Sequence, residues 1–141
     1  MIVLDANVLI GLFDPADAQH AEAESLLRDH ADETMAMSAM TLAEFLIRPT
    51  IAAVADKAEL FIANLGIVVC PLLADDSRHL ARLRAESGLK MPDAVVLWLA
   101  QSSSASLMTL DRRLAQVATE TGLAVVGLVQ HGGELADDCQ T

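Results

Sequence analysis

Apolar and polar positions alternate along the chain in two different rhythms. Short runs of Ile, Val, Leu and Met recur, and each is followed by a longer stretch with apolar residues at helical spacing. "MIVLD" reads as a strand, followed by a short helix over 7–13 that Asp14-Pro15 breaks. Residues 17–30 are rich in helix formers, and "TMAMS" is a second, short strand. "AMTLAEFLIR" is an apolar helix that should stop before Pro49, because proline disfavours helical backbone in the residue ahead of it. The spacing of Ile51, Val54, Ala58, Phe61, Ile62 and Leu65 predicts one helix over 51–66, closed by Gly66. "IVVCP" is a strand and 74–88 a helix ending at Gly88. Pro92 opens a helix over 92–101, since proline suits the first helical turn. "ASLMTL" is a strand, 111–122 a helix, and "AVVGLV" a last strand.

Strand–helix alternation with nearly continuous apolar strands points to an α/β fold: a three-layer α/β/α sandwich around a central parallel sheet. The 141 residues suffice for one domain, expected over 1–130, with a C-terminal tail over 131–141. Hydrophobic residues make up 53% but aromatics only 3%, so Ala, Leu, Val, Ile and Met must build the core. That composition excludes a disordered chain. No apolar run reaches the roughly 18–20 residues of a membrane helix, and the start lacks a basic signal-peptide region. Cys70 and Cys139 make neither a disulfide framework nor a CxxC metal motif. A cytoplasmic protein with no membrane partner is expected.

The charge is lopsided, with 20 acids against 9 bases and a formal net charge of −11. A protein that grips nucleic acid by counterion release is usually basic. This chain either has neutral or basic partners or meets polyanions through bound cations.

Most of the acids lie on polar helix faces or in loops. Four sit against apolar surroundings: Asp5 at the end of the first strand, Glu44 inside "MTLAEFLI", Asp93 at the start of "PDAVVLWLA" and Asp111 after "SLMTL". Each has a structural alternative. Asp5 and Asp111 could cap the helices that follow them, Asp93 could complement a helix dipole, and Glu44 could close a capping box with Thr41. Ser38 is the better cap for the third helix, however, which leaves Glu44 too deep for that role. In open parallel sheets ligands bind beyond the carboxyl ends of the strands. Four carboxylates gathered there would form an oxygen-only site for a hard divalent cation such as Mg²⁺ or Mn²⁺. Such an ion can activate water and stabilise charge on a phosphoryl group.

"IVLDANVLI", "TLAEFL", "MPDAVVLWLA" and "LMTLDRRL" together resemble, in order, the four acidic motifs of the PIN domain family. A stand-alone domain of this length is most similar to the VapC toxins of VapBC toxin–antitoxin pairs. The resemblance implies a Mg²⁺- or Mn²⁺-dependent endoribonuclease acting on RNA, a homodimer, and inhibition by a cognate VapB-like antitoxin. It implies that Asp5, Glu44, Asp93 and Asp111 are the catalytic and metal-binding acids, with Asn7 and Thr109 in supporting positions. The family often has Ser or Thr directly after the first aspartate, where this chain has Ala6. Lys90, Arg112 and Arg113, the cations closest in sequence to these acids, are candidates for RNA phosphate contact. Two other readings remain: a Mg²⁺-dependent phosphatase, disfavoured because Asp5-Ala6-Asn7 is not the D-x-D of a nucleophilic aspartate, and a PIN-like module that only binds protein. The helical segment over 40–61 carries more apolar positions than one helix face needs, which predicts self-association.

Overall fold

A computed structural model describes residues 1–128; the tail expected over 131–141 lies outside them. Five parallel strands form one sheet: β1 (Ile2–Leu4), β2 (Met35–Ser38), β3 (Val68–Cys70), β4 (Ser106–Thr109) and β5 (Val125–Gly127), in the order β3-β2-β1-β4-β5. The helices are α1 (Ala6–Phe13), α2 (His20–Asp29), α3 (Ala39–Ile51), α4 (Ala55–Asn64), α5 (Ser77–Ser87), α6 (Met91–Ser102) and α7 (Arg112–Glu120).

The pleat sends alternate side chains to opposite faces of the sheet. Ile2, Leu4, Met37 and Met108 pack with Leu9, Ala23, Phe45 and Ile62 of α1–α4. Val3 and Leu107 pack on the other side with Val96, Leu97, Ala100, Leu114 and Ala118 of α6 and α7. These two cores make the three-layer sandwich expected from the alternating pattern. Strands buried on both faces explain why the central ones read as unbroken apolar runs.

Three helix boundaries differ from expectation: the helix expected over 74–88 opens with a 3₁₀ turn, Ala74–Asp76, before α5 begins at Ser77, and α3 and α4 depart as well. α3 runs through Pro49 to Ile51. Proline removes one bond, the donation to Phe45, but only in the last turn, and Pro49 is buried and lines the same groove as Phe45 and Phe13. The helix expected over 51–66 is split. Ala53 adopts φ 58°, a left-handed conformation that no right-handed helix can continue through. The amide of Val54 bonds instead to the Pro49 carbonyl at 2.8 Å, and α4 starts afresh at Ala55. Gly66, with φ 69°, follows α4 as a helix-terminating residue.

The chain runs from β1 outward to β2 and β3, then returns to the other side of β1 for β4 and β5. The order therefore reverses between β1 and β4, and crevices in such sheets open at that point. Among the described residues no helix is long and apolar enough to cross a membrane.

Candidate active site

The sheet pins Asp5 in place before its side chain is considered. The backbone N–H of Asp5 donates to the Met108 carbonyl at 3.0 Å, which extends the β1–β4 ladder by one step. Asp5 has extended backbone and opens α1. Its Oδ1 accepts the Ala6 N–H at 2.8 Å and its Oδ2 accepts the Thr109 hydroxyl at 2.8 Å. The helix-capping alternative is thus partly correct, but one bond to each oxygen leaves further lone pairs on both.

Thr109, fully buried at the end of β4, joins the strands. While its hydroxyl donates to Asp5, its Oγ1 accepts the Asp111 N–H at 3.0 Å and the Asn7 Nδ2 at 3.5 Å. Asn7 closes the link by accepting the Leu110 N–H at 3.2 Å. Both residues expected to support the acids tie the end of β1 to the turn after β4. Asp111 caps α7, with Oδ1 accepting the Leu114 N–H at 3.1 Å.

Glu44 is half-buried in the middle of α3. Ser38 caps that helix by accepting the Thr41 N–H at 3.0 Å, so Glu44 is not in a capping box. Asp93 lies half-buried in the first turn of α6.

Charge repulsion couples the four acids. Burial pushes the Asp5 carboxyl up from 3.8 to about 6; the Thr109 and Ala6 hydrogen bonds pull against this, and the charges of Asp93 and Glu44 add to it. Glu44 is raised by burial and then by Asp93. Asp93 is raised by burial and then by Asp111, while Lys90 and Arg113 hold it down. Asp5, Glu44, Asp93 and Asp111 are therefore linked pair by pair through repulsion.

All the oxygens here are hard donors. Among the described residues no three His, Cys, Asp or Glu side chains converge tightly enough to ligate one ion by themselves. The fit to a hard divalent cation such as Mg²⁺ rests on the chemistry of these oxygen donors. Half-buried, mutually repelling carboxylates are also what a divalent cation would neutralise.

Of the three candidate cations, Lys90 and Arg113 lie close enough to act on Asp93, and Arg113 also donates from Nη2 to the Gly88 carbonyl at 3.2 Å. Arg112 is exposed at the start of α7. An apolar groove of about 220 Å³ lies elsewhere, between the end of α1 and the α3–α4 turn, and none of the four acids lines it.

The PIN domain family model matches residues 2–120. The chain belongs to the PIN domain family. Solved PIN-fold structures share its architecture. VapC20 of Mycobacterium tuberculosis, described as a sarcin–ricin-loop-cleaving toxin, is 16% identical, with a TM-score of 0.74 over 91% of this chain and 100% of that one. A toxin–antitoxin complex from Klebsiella pneumoniae is 24% identical, with a TM-score of 0.72 over 89% and 96%. VapBC2 of Rickettsia felis, bound to a promoter DNA fragment, is 17% identical, with a TM-score of 0.68 over 89% and 98%. No curated protein matches the chain. At these identities the likeness is one of PIN fold.

The resemblance named Thr109 as a supporting position; its bonds to Asp5, Asp111 and Asn7 are what the structure adds. The Arg113–Gly88 bond was hidden in the sequence, because it spans 25 positions.

Proposed function

We propose that the chain is a divalent-metal-dependent endoribonuclease, the toxin of a VapBC-type pair, hydrolysing RNA phosphodiester bonds at Asp5, Glu44, Asp93 and Asp111. The observation that carries this reading is the buried Asp5, held at the β1–β4 switch point and repelled by Asp93 and Glu44, in a chain of the PIN family. A bound Mg²⁺ or Mn²⁺ would supply an activated water and a counter-charge for the phosphoryl oxygens. Asp5, fixed by Ala6 and Thr109, and Asp93, fixed by the first turn of α6, would hold the ion with waters completing its shell. Glu44 and Asp111 would orient those waters, and one of them would accept the proton released as water attacks phosphorus, while the P–O bond to the leaving ribose oxygen breaks and that oxygen takes up a proton from solvent. Lys90, Arg113 and Arg112 would take the flanking phosphates, which makes substrate binding salt-dependent.

The same cleft would attract a positive segment of an antitoxin, since arginine engages carboxylates bidentately and stays charged. Phe45 is not part of the surface such a segment could cover, because it is core at 1% exposed. The exposed Ile47, Ile51 and Leu60 are the apolar surplus of α3 and α4, and they suit burial in a homodimer.

The test is cleavage of total RNA by purified protein with Mn²⁺ or Mg²⁺, against EDTA and against Asp93→Asn. Metal-dependent cleavage lost in both controls is expected. Cleavage that persists in EDTA, or in Asp93→Asn, would refute the mechanism.

A further inference from the structure

The net charge of −11 hides a strong asymmetry. Six of the nine Lys and Arg residues lie between positions 78 and 113: Arg78, Arg82, Arg84, Lys90, Arg112 and Arg113. That stretch contains three acids, of which two are Asp93 and Asp111. All six bases are exposed. Among the described residues none of them enters an ion pair; the three ion pairs present are His20–Glu24, Arg28–Glu24 and His30–Glu33, on α2 and just after it. Arg78 and Arg82 are thus exposed cations without an ion pair on one helix face, which attracts an anionic partner.

Their placement is ordered. α5 and α6 form a helical hairpin joined by Gly88, Leu89 and Lys90. His79, in the first turn of α5, stacks on Trp98, in the second half of α6, with ring centroids 4.6 Å apart and planes at 9°. The start of α5 therefore lies beside the far half of α6, and the Lys90 end lies beside Asp93. At 1.5 Å per residue, α5 leads about 14 Å away from the carboxylates. At 100° per residue, Arg78, Arg82 and His79 share one sector of about 100°, with Glu86 inside it, while Arg84 points to the opposite side. Asp75 and Asp76 close the stripe at its far end.

We propose that the α5 face made by Arg78, Arg82 and the His79–Trp98 stack is a binding track for single-stranded RNA, continuous with Lys90 and Arg113 at the cleft. The inference rests on the ribonuclease reading and extends it to a surface beyond the cleft. Arginines spaced one turn apart follow a phosphate backbone, and a stacked aromatic pair with an exposed His79 ring offers a base a surface to stack on, the combination that sequence-tolerant single-strand binders use. α5 has no fully buried residue and packs chiefly on α6 and the turn before it, so its outer face is not required by the core.

The experiment measures binding of a labelled single-stranded RNA by anisotropy in EDTA, so that no turnover is needed, at several salt concentrations. Trp98, the single tryptophan, reports on the stack through its own emission. Arg78→Ala with Arg82→Ala should weaken binding on the order of tenfold near 0.1 M salt and reduce the log–log salt slope by about 1.4. Arg84→Ala removes a charge from the opposite face and should change neither. Glu86→Gln should tighten binding, and His79→Ala should abolish the RNA-induced change in Trp98 emission while leaving most of the salt slope. Unchanged affinity and slope in the double variant would overturn the proposal even if the wild type cleaves RNA. Loss of binding in the double variant alongside a wild type that never cleaves would sustain the track and sink the nuclease reading. If polyglutamate of matched charge binds as tightly and shifts Trp98 emission equally, the face is an anion site and not an RNA track.

Discussion

Replacing Asp5 by Asn should make the metal-free protein more stable at neutral and alkaline pH. Burial, with Asp93 and Glu44 adding to it, raises the Asp5 carboxyl from 3.8 to about 6, equivalent to about 3 kcal/mol of destabilisation once the group is fully ionised. The sign follows from proton binding. Between those two values the folded state holds the proton that the unfolded state has released, so stability falls as pH rises through this window and stays low above it. Asparagine removes the charge at similar shape. Its Oδ1 can still accept the Ala6 N–H, but its Nδ2 then faces a Thr109 oxygen already accepting from Asp111 and Asn7. That mismatch costs about 1 kcal/mol. The expected net gain is about 2 kcal/mol at pH 8, or about 6 °C in melting temperature for a chain of this length. It should shrink as pH falls below about 6, where folded wild-type Asp5 takes up its proton, and change sign near about pH 4.5, as the unfolded state begins to take up its own. Thermal and urea melts in EDTA at pH 4, 6 and 8 measure this. Adding Mn²⁺ at about 100 times its dissociation constant should stabilise the wild type by about 2.7 kcal/mol and the variant far less. A stability difference that does not vary with pH, or a variant less stable at pH 8, would refute the account of Asp5 as a buried and strained carboxylate.

Thr109→Val deletes the donor to Asp5 and the acceptor for Asp111 and Asn7; it should cost about 2 kcal/mol in urea melts and raise the Asp5 carboxyl further, read by carboxyl carbon NMR titration. Gly127→Ala should cost more than about 2 kcal/mol, because Gly127 has φ 124° and an added Cβ would lie 2.5 Å from the Thr109 carbonyl oxygen, forcing β5 away from β4.

The sequence by itself determined the layers and named the four candidate acids. Apolar runs of strand length between helical stretches can be buried only on both faces of a parallel sheet, and that follows from period and composition alone. The four acids stood out because each interrupts an apolar setting where an unpaired carboxylate is costly, and Ser38 was legible as a cap because a capping bond is made within three residues. The tertiary structure decided what distant residues do to one another. The break at Ala53 is invisible in helical spacing, since a periodic apolar pattern survives a left-handed kink when both halves face the same core. Pro49 stays helical because a buried ring offsets one lost bond, and burial is a property of the packed neighbours, not of the local sequence. The raised Asp5 carboxyl, the Thr109 bridge across more than a hundred positions and the Arg113 contact with Gly88 all arise where β1, β4, α6 and α7 converge. Charge is counted along the chain, but desolvation, repulsion and complementarity act through space, and only the fold sets those distances.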